Sequence, residues 1–259
     1  MDSLPTLDAH AHVDLPDDDR SALSRCGAVL AQTESLDEAA RLAGQGVPLV
    51  AWGAGCHPRR GAAYDAFTLD RLREVMDCTA IVGEVGLDGG SAVPMERQLA
   101  TLRAILAQVA ERPRIVSIHS ARATAPLLAE LRRTPLAAPI LHWWTGRADE
   151  TSAAVALGCY FSVHAAVARR SIWRSRVPLD RVLVESDHGR GDPPEAIPLR
   201  IGWVEHLVAQ QYGVTAGAVR LASWRNLAQL VAATGVQELL PEGIRETLAR
   251  VTGGAARPP

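Results

Sequence analysis

Eight short runs rich in Val, Ile, Leu and Ala recur along the chain, each bounded by turn residues: PTLDAHAHV, GAVLAQT, VPLVAWGAGCHP, AIVGEVGLD, RIVSIHS, APILHWW, CYFSVHA and RVLVESD. Between and after them lie amphipathic stretches with helical spacing, among them SLDEAARLAGQG, TLDRLREVMDCT, PMERQLATLRAILAQVAER, ATAPLLAELRRT, ADETSAAVALG, SIWRSRV, PLRIGWVEHLVAQQYG and TAGAVRLASWRNLAQLVAATG. The apolar runs do not alternate strictly with polar residues, which suits parallel strands buried on both faces. Eight strand–helix units predict an α/β fold, a parallel (β/α)8 TIM barrel. A doubly wound open sheet would look the same locally, and the strand count favours closure. No repeat or interior linker divides the 259 residues, so a single barrel is expected over 1–259, with 251–259, which includes GGAARPP, as a disordered tail.

Polar residues gather at the C-terminal ends of these runs: His10 and His12, His57, Glu84, His119, His142, His164 and Asp187. With His188 just beyond the last run, seven of the eight histidines lie at or just past such ends, and only His206 falls within a helical pattern. In a barrel all such ends meet on one rim, where active sites are built. Within LDAHAHVD, His10 and His12 are two apart and share one face of a strand. Mixed imidazole and carboxylate donors on one rim suit divalent metal ions, with carboxylate favouring Mg²⁺ or Mn²⁺ and imidazole also accepting Zn²⁺. Two ions need a bridging acid, and Glu84 is the candidate in the right place.

All 27 basic residues are Arg, so Schiff-base lysine chemistry, a P-loop lysine and a carboxylated-lysine bridge are excluded. A net charge of −2 gives no global basic field for coating nucleic acid, although it allows gripping one strand end. Cys26, Cys56, Cys78 and Cys159 are scattered, without a C-x-x-C pair, which argues against a zinc ribbon or a disulfide framework. The N-terminus is acidic without an apolar leader, and no run is long enough to span a bilayer, so a cytoplasmic location and no membrane partner are expected.

In order along the chain, DAHAHVD, GCHP, IVGEVGLD, IVSIHS, ILHWWTG, GCYFSV and VLVESD resemble the successive signatures of the TatD family of metal-dependent hydrolases, amidohydrolase-like barrels. The resemblance runs from Asp8 to about Asn226 and implies a ligand set. His10, His12, Glu84 and Asp187 would hold one metal; Glu84, His119 and His142 would hold the second. Asp187 would also serve as general base, which makes Asp187 and Glu84 the expected catalytic residues. His57, Arg122, Trp143 and Trp144 are expected to contact substrate.

The chain departs from the family in several places. Ala121 stands where an Arg usually follows the fifth-strand histidine, with Arg122 one step on. GGSAVP is a short, glycine-rich loop. Trp143, Trp144 and Thr145 replace a usual Cys-Phe-Ser, and tryptophan can stack a nucleobase. His188 and Gly189 follow the last acid where a small residue and Pro are usual. These loops resemble a divergent TatD-like branch of bacterial anti-phage defence operons, which implies antiviral defence and operon-encoded partners. The arginines at 169, 170, 174 and 176 offer either phosphate contacts or a solvated helix face.

The function expected is two-metal phosphodiester hydrolysis, a 3'-5' exodeoxyribonuclease acting on single-stranded or frayed DNA ends. The alternatives are a metal-dependent amidohydrolase on a small amide or ester, and a nuclease-like subunit of a defence complex. Ser120 and Ser186 lie beside the expected ligands, and nothing marks a Ser-His-Asp hydrolase.

Overall fold

A computed structural model describes residues 4–13, 27–189 and 200–253. Its eight strands follow the eight apolar runs: β1 Leu7–Ala11, β2 Ala28–Ala31, β3 Val50–Trp52, β4 Ile81–Gly86, β5 Ile115–His119, β6 Pro139–His142, β7 Tyr160–His164 and β8 Val182–Glu185. All pairings are parallel and join neighbours in sequence, β1 to β3 in one ladder and β4 to β8 in another. The two ladders meet at a parallel bridge between Gly53 and Ile81, supported by Ala54 N–H donating to the Ile81 carbonyl at 3.0 Å. The other seam lies just past the end of β8. Asp187 N–H donates to the His10 carbonyl at 3.0 Å, and His12 N–H donates to the His188 carbonyl at 2.8 Å. The expected barrel is therefore closed by backbone hydrogen bonds from the segment that carries the last acid.

The alternation hidden in the apolar runs becomes visible in β5 to β8. Val116, Ile118, Leu141, Phe161, Val163, Val182 and Val184 pack into the main hydrophobic cluster with the helices. The intervening Ser117, His119, His142, Ser162 and Glu185 point to the other side, where Ser117 meets His10 and Glu185 meets both Ser162 and His142. Each polar residue at a strand end is thus inside the ring, above the apolar layers that fill it.

The helices are α1 Leu36–Leu42, α2 Gly61–Ala66, α3 Leu69–Met76, α4 Met95–Glu111, α5 Thr124–Arg133, α6 Ala148–Ala156, α7 Ile172–Arg176, α8 Ile201–Tyr212, α9 Ala216–Thr234 and α10 Glu242–Gly253. Ser35, Thr68 and Thr215 cap α1, α3 and α9 by accepting the exposed N–H of Glu38, Arg71 and Ala218. Gly213 and Gly235 end α8 and α9 in the left-handed conformation. Helix α2 and the whole of α10 were not expected. Residues 251–253, expected in the tail, close α10, with Val251 buried against the core, because its apolar face completes the cluster around Trp224 and Leu248. The rest of that tail lies outside the described residues, as does Cys26. Cys56, Cys78 and Cys159 are free thiols. No helix among the described residues is long and apolar enough to cross a membrane.

Candidate metal centre

Glu84 sits at the centre of the rim. Its strand slips register against β5 between Val82 and Val85, and the Gly83–Glu84 peptide is cis. Thr33 and Cys56 hold its backbone: Glu84 N–H donates to the Thr33 carbonyl at 3.1 Å, and Cys56 N–H donates to the Glu84 carbonyl at 2.9 Å. The residue before it has to be Gly, since a Cβ at Gly83 would lie 2.2 Å from Gln32 Oε1 and 2.9 Å from Ser117 Cβ.

The two oxygens of Glu84 divide the histidines between them. Oε2 lies 3.0 Å from His12 Nε2, 3.2 Å from His57 Nε2 and 3.5 Å from His10 Nε2. Oε1 lies 2.6 Å from His119 Nδ1 and 3.2 Å from His142 Nε2. Asp187 Oδ1 stands 3.6 Å and 3.7 Å from the Nε2 atoms of His10 and His12. Three groups of donors lie close enough to share an ion: His10, His12 and Asp187; His57, Glu84 and His119; and His10, His142 and Glu185. The six expected ligands therefore converge, with His57 among them.

Around this set is a ring of groups that orient it. His10 Nδ1 is hydrogen-bonded to Ser117 Oγ at 2.8 Å. Asp88 Oδ2 is 3.1 Å from His119 Nε2, and its Oδ1 accepts from Gly90 N–H at 2.6 Å. Glu185 Oε1 accepts from Trp143 N–H at 2.8 Å and is 3.3 Å from His142 Nδ1, while its Oε2 accepts a short bond from Ser162. Asp8 accepts from Ser186 N–H and Oγ–H at 3.0 and 2.6 Å, so it ties β1 to the Asp187 segment. Sequence reasoning passed over Asp88, Glu185 and Asp8. All three stood inside the signatures, and Glu185 has the same two-residue spacing to Asp187 that His10 has to His12.

Burial and charge set the protonation of the cluster. Burial would raise Glu84, but the histidines around it, His142 and His57 foremost, outweigh burial and hold its carboxyl well below the usual range. Burial pushes His10 well below an ordinary imidazole, which leaves it neutral. Burial also opposes protonation of His142, yet Glu185 and Glu84 raise it well above the ordinary value. The bond from His119 takes Asp88 down to about 2, and burial lifts Asp187 to about 6.

The donor set fits a divalent cation. His10 Nε2 and Asp187 Oδ1 are buried without a hydrogen-bond partner among the described residues, although they face each other. A buried imidazole nitrogen and a buried carboxylate oxygen side by side, neither with a hydrogen-bond partner among the described residues, are a donor pair suited to a divalent cation.

Beside the cluster opens a cavity of about 560 Å³, lined by Arg59, Asp88, Arg122, Trp143, Asp187 and Arg200 among others. Arg122 lines it from a left-handed backbone (φ 53°). Trp143 also lines it, stacked on His164 at 3.8 Å. Two other expectations change. His57 is buried against Glu84 instead of facing the cavity. Trp144 is fully buried, with its Nε1–H donated to Thr151 Oγ1 at 2.8 Å and its ring edge-on to Phe161, so it cannot stack a base. The arginine run does not line the cavity either: Arg170 donates to the Trp144 and Gly146 carbonyls, and Arg169, Arg174 and Arg176 lie on exposed surface.

A parallel barrel with a His/carboxylate cluster on its C-terminal rim fits a metal-dependent hydrolase. Residues 7–231 match the TatD related DNase family, and the chain belongs to it. It is 33% identical over 176 residues to a 3'-5' ssDNA/RNA exonuclease TatD from Pantoea vagans (strain C9-1), a match covering 62% of this chain and 67% of that protein. A protein of the same description from Edwardsiella piscicida is 30% identical over 156 residues, covering 55% of this chain and 60% of its own length, so the chain matches under two thirds of that relative. In three dimensions it is similar to YJJV, a TatD homologue from Escherichia coli K12 (TM-score 0.77, 22% identity, 87% of this chain and 97% of that one). It is also similar to an uncharacterized amidohydrolase from Saccharomyces cerevisiae (TM-score 0.70, 14% identity, 88% and 99%).

Proposed function

We propose that the chain is a two-metal phosphodiesterase that shortens single-stranded nucleic acid from the 3' end. The observation that carries this reading is the division of Glu84: one oxygen faces His10, His12 and His57, the other His119 and His142. A carboxylate so placed can serve two ions at once, His10, His12 and Asp187 completing one set and His119 and His142 the other. Mg²⁺ or Mn²⁺ suits this carboxylate-bearing set, and Zn²⁺ suits its imidazoles. Divalent cations there would acidify water toward neutrality and neutralise charge on phosphoryl oxygens.

The chain's own residues supply the rest. Asp187 lines the cavity beside this first set, so it is also placed to take the proton of an attacking water. Asp88 lines the cavity too, but His119 and Gly90 already engage it. Arg59, Arg122 and Arg200 give the mouth the positive charge a phosphodiester needs. The relatives named 3'-5' ssDNA/RNA exonucleases support the direction and the strand preference.

The test uses end-labelled single-stranded, overhang and blunt duplex DNA, with circular single-stranded DNA and a panel of small amides and esters, in Mg²⁺, Mn²⁺ or chelator. Stepwise shortening from the 3' end, abolished by chelator and with the circle intact, is expected. Blunt duplex should be slower, because unpairing an end costs a few kcal/mol. Cleavage of the circle would make the enzyme an endonuclease. Turnover of amides or esters with no nucleic acid cut would replace this reading with that of a small-molecule hydrolase.

A further inference from the structure

Among the described residues three non-glycine side chains occupy the left-handed region, Arg122 (φ 53°), Trp143 (φ 40°) and Asp187 (φ 47°), and all three line the cavity beside the metal cluster. Such backbone is unfavourable for a bulky residue and persists where the surroundings over-determine it, which happens mainly at functional sites. At Trp143 those surroundings are explicit. Glu185 accepts its N–H, His142 before it stands against Glu84, and Trp144 after it is anchored in the core through Thr151. The local turn holds the Trp143 indole at the cavity, stacked on the His164 imidazole with ring centroids 3.8 Å apart and planes 28° apart. The stacked pair supplies the aromatic part of the cavity wall, whose other lining residues are mainly polar or charged.

We propose that this wall is a stacking subsite for one unpaired nucleobase, that of the terminal nucleotide, with Arg122 on its phosphate. The proposal rests on the nuclease reading above and adds how the strand end is gripped. A volume of about 560 Å³ is in the range of single small-molecule sites. Trp143 follows His142 directly in the chain, so a base on the indole keeps its phosphate within one nucleotide's length of the cluster. Arg122 is seated by the glycine-rich loop: a Cβ at Gly90 would fall 1.6 Å from its Nη2. Every base offers a π face, so the subsite tolerates any sequence and yet requires that a base be present.

The test compares a single-stranded oligonucleotide ending in a normal 3' nucleotide with one ending in an abasic tetrahydrofuran residue. Wild type should favour the normal end in kcat/KM by about tenfold to hundredfold, the range stacking supplies. That ratio should fall to within about threefold of unity in Trp143→Ala and in Trp143→Leu, which keeps apolar bulk without a π face, and should survive in Trp143→Phe. A wild-type ratio near one, or the same ratio in both non-aromatic variants, overturns the subsite while leaving the nuclease reading intact. Failure of the wild type to cut either oligonucleotide with Mg²⁺ or Mn²⁺ overturns both.

Discussion

Two adjacent tryptophans face different fates, and Trp144→Ala measures the difference. The indole is fully buried, pinned to α6 through Thr151, and packed edge-on to Phe161 of β7, whose ring in turn meets Trp173. Truncation removes a whole buried aromatic ring, for which the loss of transfer energy and the void together cost about 3–5 kcal/mol. The lost hydrogen bond falls within that range, because the Thr151 hydroxyl keeps its donation to the Arg147 carbonyl at 2.7 Å and is not stranded. For a chain of this size each kcal/mol moves the melting temperature by roughly 2–4 °C, so the variant should melt about 6–20 °C below wild type. Trp144→Phe should fall between the two. The assay is thermal and urea unfolding of metal-free protein, paired with KM for a single-stranded oligonucleotide at a temperature where every variant is folded. KM should stay within a few-fold of wild type. A Trp144→Ala protein that melts like wild type while its KM rises tenfold or more would place that indole against substrate and refute the packing described here.

Saturating Mn²⁺ at about a hundred times its Kd should stabilise the wild type by about 2.7 kcal/mol, a rise of roughly 5–11 °C in melting temperature. Glu84→Gln should lose most of that rise and at least a hundredfold in turnover, and normal metal content with near-normal turnover in that variant would remove Glu84 as the bridge. Asp8 offers a pH signature, since burial lifts its carboxyl to about 7. Between about pH 4 and 7 the native state holds a proton that the unfolded chain has released, so stability from this group falls as pH rises and levels off above 7. The advantage of metal-free wild type over Asp8→Asn should therefore shrink across that window in urea titrations, and a gap independent of pH would show that Asp8 is ionised throughout. Gly90→Ala should displace the Arg122 guanidinium at little stability cost, because the clash is with the far end of a flexible side chain. Its binding to single strands should weaken, and the slope of log K against log salt should become shallower by nearly one phosphate contact.

Much of this was legible in the sequence because strand ends are written twice, once in the apolar run and once in the residue that stops it. His119 and His142 end such runs, His10, His12, Glu84 and Asp187 lie within two residues of a strand end, and the fold gathers all six. The tryptophans were not separable, since side chains in WW differ by a left-handed turn at Trp143 that no local pattern announces. His57 looked like a substrate contact because a loop histidine carries no sign of its depth, and depth here comes from Glu84 entering from a different strand. Asp88 and Glu185 were passed over because a carboxylate that orients a histidine and one that binds metal read alike in one dimension. Helix α10 escaped because PEGIRETLARV has a weak start and no strand before it, and its apolar face makes sense only beside Trp224 and Leu240.

The seam between the first strand and the segment after the eighth has a consequence for how activity comes into being. Asp8 and Ser186 are 178 positions apart, and their bonds, with those of His10 and His12 to Asp187 and His188, shut the ring. Joining such distant segments is entropically among the hardest contacts the chain makes, and it is available only after the eighth strand has been synthesised. A nascent or clipped chain lacking residues beyond the seventh strand holds all five histidines that surround Glu84, and Glu84 itself, but neither Asp187 nor the bonds that place His10 and His12. On the nuclease reading, hydrolytic competence therefore comes only with the last turn of the barrel.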